Sequence, residues 1–175
     1  MIKYTPFILI LSLFVTCVSC GGRELSEEEV VVSELIDQKL IENPKLVFDS
    51  CSLESADLIL EYYSENDNAP VWISKTGLNS RGKEMYGIVE NAYEQGVIPE
   101  MYRFSEIDSS IKVDLTDTEL LLTNAFFLMS THLSVGFMDS TSKEFVWKVD
   151  SLQFDLKEQL NKVFEDSVAK VITEH

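Results

Sequence analysis

Apolar and polar residues follow one another along this chain with a mostly helical period. The first sustained pattern is SEEEVVVSELIDQKL, starting at Ser26. Ser26 and Glu29 have the spacing of a capping box, and Val30, Val31, Ser33–Glu34, Leu35 and Leu40 make a mixed apolar stripe. Asn43-Pro44 stops the pattern. The acidic run Glu27, Glu28, Glu29 is what a helix N-terminus favours and needs no further reading. A second helix is predicted over LESADLILEYY, capped by Ser52. SENDNAPVW then makes a loop leading into a short extended piece at Trp72, because the residue before Pro70 is pushed out of the α region.

A third helix is predicted from about Ser80 to Gln95, with Met85, Ile88, Val89, Ala92 and Tyr93 at three-to-four spacing. Gly96 suits its left-handed C-terminal position, and Pro99 the first turn of a short segment holding Tyr102 and Phe104. Thr116 and Glu119 form a second capping box, opening the most apolar helix of the chain, LLLTNAFFLMSTHLSV, which Gly136 ends. Apolar on most sides, that helix belongs in the middle of a bundle. After a loop with Trp147, a last helix from about Asp155 carries Leu156, Leu160, Val163, Phe164, Val168, Val171 and Ile172 on one face. It runs to His175 without a C-terminal cap. The expected fold is mainly α: a small bundle of orthogonally packed helices with a short extended segment near Trp72.

Residues 1–19 stand apart. Lys3 is followed by an apolar run from Pro6 to Val18, short of the roughly 20 residues a spanning helix needs. The run fits a secretory signal that is cleaved and plays no part in the fold. Its end, VTCVSCGG, resembles a bacterial lipoprotein signal, in which a cysteine after a small residue is acylated and becomes the new N-terminus. Cys20, with Ser19 before it and two glycines after, is the expected lipidation site, and Cys17 is the alternative. Three parts follow: a signal peptide over 1–19, a tether and N-terminal helix over 20–50, and a helical domain over 51–175. Cleavage before Cys20 leaves Cys51 as the one free thiol, so the fold rests on its core and not on a disulfide.

Composition sharpens this mainly by exclusion. With 45% hydrophobic and 25% charged residues the chain is globular and not disordered. Thirty acidic residues against 14 basic give a net charge of −16, which repels phosphate backbones and excludes nucleic acid as a partner. The histidines are His132, on the apolar helix, and His175, at the last position. They do not make a zinc site with one spare cysteine, and no nucleophile–base, phosphate-loop or dinucleotide pattern occurs. The loop with Glu65 and Asp67 lacks the central glycine and closing glutamate of a calcium loop. No catalytic residue, metal or cofactor is therefore assigned.

Three stretches resemble the scaffold domain of the large murein L,D-transpeptidases. YYSENDNAPVW, from Tyr62 to Trp72, has that family's aromatic-Tyr followed by Pro-x-Trp. GLNSRGKEMYGIVENAYEQGVIPEMY has its following helix and the Gly-hydrophobe-x-Pro-x-x-Tyr ending at Gly96, Pro99 and Tyr102. LLTNAFFLMSTHLSVG has its Leu-Thr-x-Ala-Phe helix and closing glycine, at Leu122, Thr123, Ala125, Phe126 and Gly136. The resemblance covers about Leu53 to Trp147, with the last helix included.

The resemblance implies a helical, non-catalytic scaffold that supports a separate domain joining peptidoglycan stem peptides through a cysteine acyl-enzyme. The family's catalytic signature, a His followed by Ser-x-Gly-Cys, is missing here, and Cys51 lies in DSCSLES, before the scaffold motifs. The expected role is thus architectural: holding peptidoglycan or an L,D-transpeptidase catalytic domain near a membrane reached through the lipid on Cys20. The cell envelope, facing the periplasm, is the expected location, with the outer membrane favoured over the inner. Trp72, Tyr62, Tyr63 and Tyr102 are large amphipathic side chains that anchor either a core or a wall- or partner-binding groove. Two other readings stand beside this one: the front half of a truncated or split L,D-transpeptidase, and an unrelated helical envelope lipoprotein that binds a protein.

Overall fold

The computed structural model describes residues 24–135 and 155–173. The lipidation site Cys20, the signal peptide, Gly136 as a helix end and the Trp147 loop lie outside the described residues. Within them the fold is mainly α, with seven α-helices, two 3-10 turns and two two-stranded hairpins.

Helix α1 (Glu27–Glu42) opens with the expected capping box, Ser26 N–H donating to Glu29 Oε2 at 2.9 Å and Ser26 Oγ accepting from Glu29 N–H. Its buried face shares only Ser33 and the half-buried Leu40 with the expected stripe. Val32, Ser33 and Ile36 point inward, while Val30, Val31 and Leu35 are exposed. Lys39 fixes that rotation by reaching Asp114 and Asp117 at 2.7 and 2.8 Å.

Strands β1 (Val47–Phe48) and β2 (Cys51–Ser52) pair antiparallel through a turn at Asp49 and Ser50, whose φ values are 44° and 70°. A two-residue turn with both φ positive matches the twist of a hairpin. Ser52 is therefore in a strand and caps nothing. Helix α2 (Ala56–Glu65) starts later, after Ser55, whose N–H donates to Asn124 Oδ1 at 3.0 Å. The extended segment expected near Trp72 begins one residue on, in the hairpin of β3 (Ile73–Ser74) and β4 (Gly77–Leu78), and Val71 and Trp72 themselves form a bend.

Helix α3 (Ser80–Glu90) is capped by Asn79, whose Oδ1 accepts from Gly82 N–H at 2.9 Å. It stops short of Gln95. Asn91 Nδ2 donates to Gly87 O at 2.8 Å, a local bond that competes with continuing the helix, and residues Ala92–Gln95 tighten into a 3-10 turn. Gly96 takes the left-handed conformation at φ 80°, and Pro99 opens a second 3-10 turn, Pro99–Tyr102.

Helix α4 (Phe104–Val113) goes beyond what the sequence predicted. Its serines suggest a loop, yet Ser109 and Ser110 bond back to Glu106 O and Ile107 O inside the helix. The helix starts from Arg103, held at φ 59° while its guanidinium donates to Glu54, Glu106 and Ser52 O.

Helix α5 (Leu115–Val135) is the central element and touches all six other α-helices. Although it is 21 residues long and strongly apolar, no described helix meets the length and hydropathy needed to cross a membrane. The expected Thr116–Glu119 capping box is not there. Asp114 caps α5 instead, accepting from Thr116 N–H at 2.9 Å and Thr116 Oγ at 2.6 Å, while Glu119 turns into the core.

The last expected helix is two: α6 (Leu156–Lys162), capped by Asp155, and α7 (Val168–Thr173). The break lets both apolar sets be buried, Leu156 and Leu160 on α6 and Val168, Val171 and Ile172 on α7. Lys157 ties α6 to α2 by ion pairs of 2.8 Å to both Glu61 and Glu65.

Candidate functional site

The segment from Pro70 to Ile73 runs through the core, bending at Val71 and Trp72, and brings three successive backbone N–H groups with it. A buried N–H without an acceptor is costly, so something must take them. Glu119 of α5 takes all three: Oε1 accepts from Val71 at 2.6 Å, and Oε2 from Trp72 and Ile73 at 3.0 Å each. Tyr63 of α2 donates its hydroxyl to the same Oε1 at 2.7 Å. One turn on, Thr123 accepts from Trp72 Nε1 at 2.9 Å and shares a 2.9 Å bond with the Tyr63 hydroxyl. The Trp72 ring lies 5.8 Å from that of Phe126.

The other edge of the segment is held too. Val71 O accepts from Asn79 Nδ2 at 2.9 Å and from Arg81 Nε at 3.0 Å, and Trp72 O accepts from Asn79 N–H at 2.9 Å. The guanidinium of Arg81 also sits 4.3 Å over the Phe164 ring. Gly82 lets α3 come this close: a Cβ there would lie 2.0 Å from Trp72 O. Burial pushes the Glu119 carboxyl above its usual range, and the bonds from Tyr63 and the three N–H groups oppose that. Burial beside Glu119 holds the Tyr63 hydroxyl well above its ordinary value.

The four aromatic residues singled out in the sequence are all interior. Trp72 and Tyr63 are 0% exposed, and Tyr62 and Tyr102 are 1%. Each polar tip finds a partner: Trp72 on Thr123, Tyr63 on Glu119, Tyr62 on Asn161 Oδ1 at 3.0 Å, and Tyr102 on His132 Nδ1 at 3.1 Å. Of the two roles open to them, they fill the core one, and Tyr62, Tyr63 and Trp72 meet around one cluster. Tyr102 stands apart with His132, their rings 5.7 Å apart. Burial raises the Tyr102 hydroxyl to about 12 and lowers the imidazole of His132, and the tautomer of the neutral ring decides which of the two donates across the 3.1 Å bond.

Glu119 is the functional residue that the sequence hid. Its Thr-x-x-Glu spacing mimics a cap, and the telling signal was an acid placed directly against Leu120, Leu121 and Leu122. On the surface, a cleft of about 280 Å³ lies between the start of α1 and the β3–β4 hairpin, with Glu28, Lys75 and Arg81 in its walls. Cys51 is exposed on β2. The arrangement around Glu119 binds protein backbone, and its chemistry is that of a structural clasp.

A family model described as a scaffold domain matches residues 57–174, from the first turn of α2 through α7. No curated protein and no solved structure gives a significant match to the chain. The matched span contains the whole Glu119 clasp, both 3-10 turns and the central helix, and covers well over half of the sequence. The chain belongs to the scaffold domain family.

Proposed function

We propose that this protein is the lipid-anchored, non-catalytic scaffold of an L,D-transpeptidase-like system that cross-links peptidoglycan. The observation carrying this reading is the coincidence of the family match over 57–174 with the three stretches that resemble the murein enzymes. Residues of those motifs sit where the fold depends on them. Trp72, Tyr63 and Thr123 meet at Glu119, while Gly96, Pro99 and Tyr102 shape the paired turns. A fold spent on holding an internal segment rigidly suits a part that positions something else. The anchor would be Cys20, in a location facing the periplasm, and the catalytic cysteine would come from another domain or chain.

The test uses the full chain in detergent, incubated with insoluble peptidoglycan sacculi and with an L,D-transpeptidase catalytic domain, at low and high salt. Salt-resistant retention on sacculi, or a raised cross-linking rate of the catalytic domain, is expected. The absence of both effects would sink the reading. Lipid labelling that is lost in Cys20→Ala checks the anchor independently.

A further inference from the structure

We propose that the two 3-10 turns, Ala92–Gln95 and Pro99–Tyr102, form a docking surface for a polypeptide that presents apolar side chains beside lysine or arginine. The inference rests on the reading of the domain as a holder of partners and names the face that does the holding.

The residues that fold this stretch point inward or shape the chain. Val97 and Tyr102 are 4% and 1% exposed, Gly96 supplies the left-handed turn, and Pro99 starts the second one. The remaining positions are free to be polar, yet Tyr93, Ile98 and Met101 are 62%, 66% and 43% exposed. Single exposed apolar residues are ordinary, and here three large ones fall within nine residues of chain, as three others do on α1. Met101 N–H bonds to Ile98 O at 2.9 Å, so the second turn closes on Ile98 and holds Met101 near it. Tyr93 O accepts from Gly96 N–H at 2.9 Å, which closes the first turn two residues before Ile98.

Charge selects the occupant. Glu90, Glu94 and Glu100 are exposed around these side chains, and no lysine or arginine occurs from residue 90 to 102. A second copy of the chain would set like charges face to face across a two-fold interface, on top of a net charge of −16 each. An apolar partner with cationic flanks meets both features at once.

The full chain is tested by fluorescence anisotropy at physiological salt against three synthetic peptides of equal length. One combines leucine and lysine at helical spacing, one serine and lysine, and one leucine and glutamate. The leucine–lysine peptide is expected to bind about tenfold or more tightly than the other two. Ile98→Asp with Met101→Asp should abolish that preference, as should Tyr93→Asp alone, with an unchanged circular dichroism spectrum. Val113→Asp, at a position 86% exposed on α4, should keep it. Equal binding of the serine–lysine peptide, or a preference that survives the Ile98 and Met101 changes, overturns the proposal. So does a concentration-dependent dimer that the same changes dissolve. The peptides carry no cell-wall feature, so their failure leaves the sacculus test standing, and failure on sacculi leaves this surface standing.

Discussion

Glu119 accepts the backbone N–H of Trp72 and those of both its neighbours, gathering on one side chain three successive donors that a bend turns the same way. The carboxylate reaches them because α5 crosses this segment at the centre of the fold. The cost of burying it is offset by four donated hydrogen bonds, the fourth from Tyr63. Trp72 is thereby fixed twice, at its backbone by Glu119 and at its indole by Thr123.

Removing the acceptor should therefore hurt more than removing any one donor. Glu119→Ala strands four buried donors and is expected to cost about 3–5 kcal/mol, close to the whole stability of a small domain. Thr123→Val, which leaves the indole N–H unmatched, should cost about 1–3 kcal/mol. Urea denaturation followed by tryptophan fluorescence gives the ordering, and a Glu119→Ala protein as stable as Thr123→Val would contradict the clasp.

Two glycines of α3 should respond in opposite directions. Gly82→Ala places a methyl 2.0 Å from Trp72 O, a backbone atom that cannot swing aside, and is expected to destabilise by at least about 1–3 kcal/mol. Gly87 has nothing within 4 Å of its absent Cβ and lies in the helix interior, so Gly87→Ala should stabilise by about 0.5–1 kcal/mol. Thermal midpoints of the two variants settle this, and a stabilised Gly82→Ala would mean that α3 packs less closely on the segment.

What could be read in the sequence was local. The Ser26 cap, the left-handed Gly96, Pro99 at the start of its turn and the apolar run of α5 each follow from a few adjacent residues. What could not be read depends on partners far along the chain. The rotation of α1 is set by Lys39 meeting Asp114 and Asp117, and the start of α2 by Asn124. The helix at Phe104 needs Arg103 held by Glu54, about 50 residues away, to make its entry conformation tenable. Glu119 was misread for the same reason: its spacing to Thr116 is local and misleading, whereas its acceptors' partners are at 63 and 71–73. Of the site, the aromatic members were legible and the acid that joins them was not.

Asp114 should give the fold an acid-sensitive edge. Partial burial pushes its carboxyl up, but the bonds from Lys39 and Thr116 outweigh this, and its pKa falls below 3.8. A depressed folded value means that the unfolded chain binds the proton first. The contribution is thus complete above the unfolded pKa and is lost as pH falls through the folded one. Asp114→Asn should lower stability at neutral pH and flatten the loss below pH 3.8. Denaturation midpoints across that range, wild type against variant, measure it, and parallel curves would mean the Lys39 pair is not what holds α1.

Tyr102 and His132 make the last case, near neutral pH. Burial lowers the imidazole below 6.5, and the Tyr102 hydroxyl lies 3.1 Å from its Nδ1. With the folded value depressed, the unfolded chain takes up the proton first. Stability therefore declines as pH falls from 6.5 toward the folded pKa and is flat below it. A hydroxyl that donates to Nδ1 holds the ring neutral, so on that tautomer Tyr102→Phe, which keeps the aromatic ring, should raise the His132 pKa toward 6.5 and shrink the acid-side decline. Proton NMR of the imidazole in a His175→Ala background isolates the signal. An imidazole that titrates identically with and without the hydroxyl would show that burial alone holds it neutral, and that Tyr102 contributes only packing.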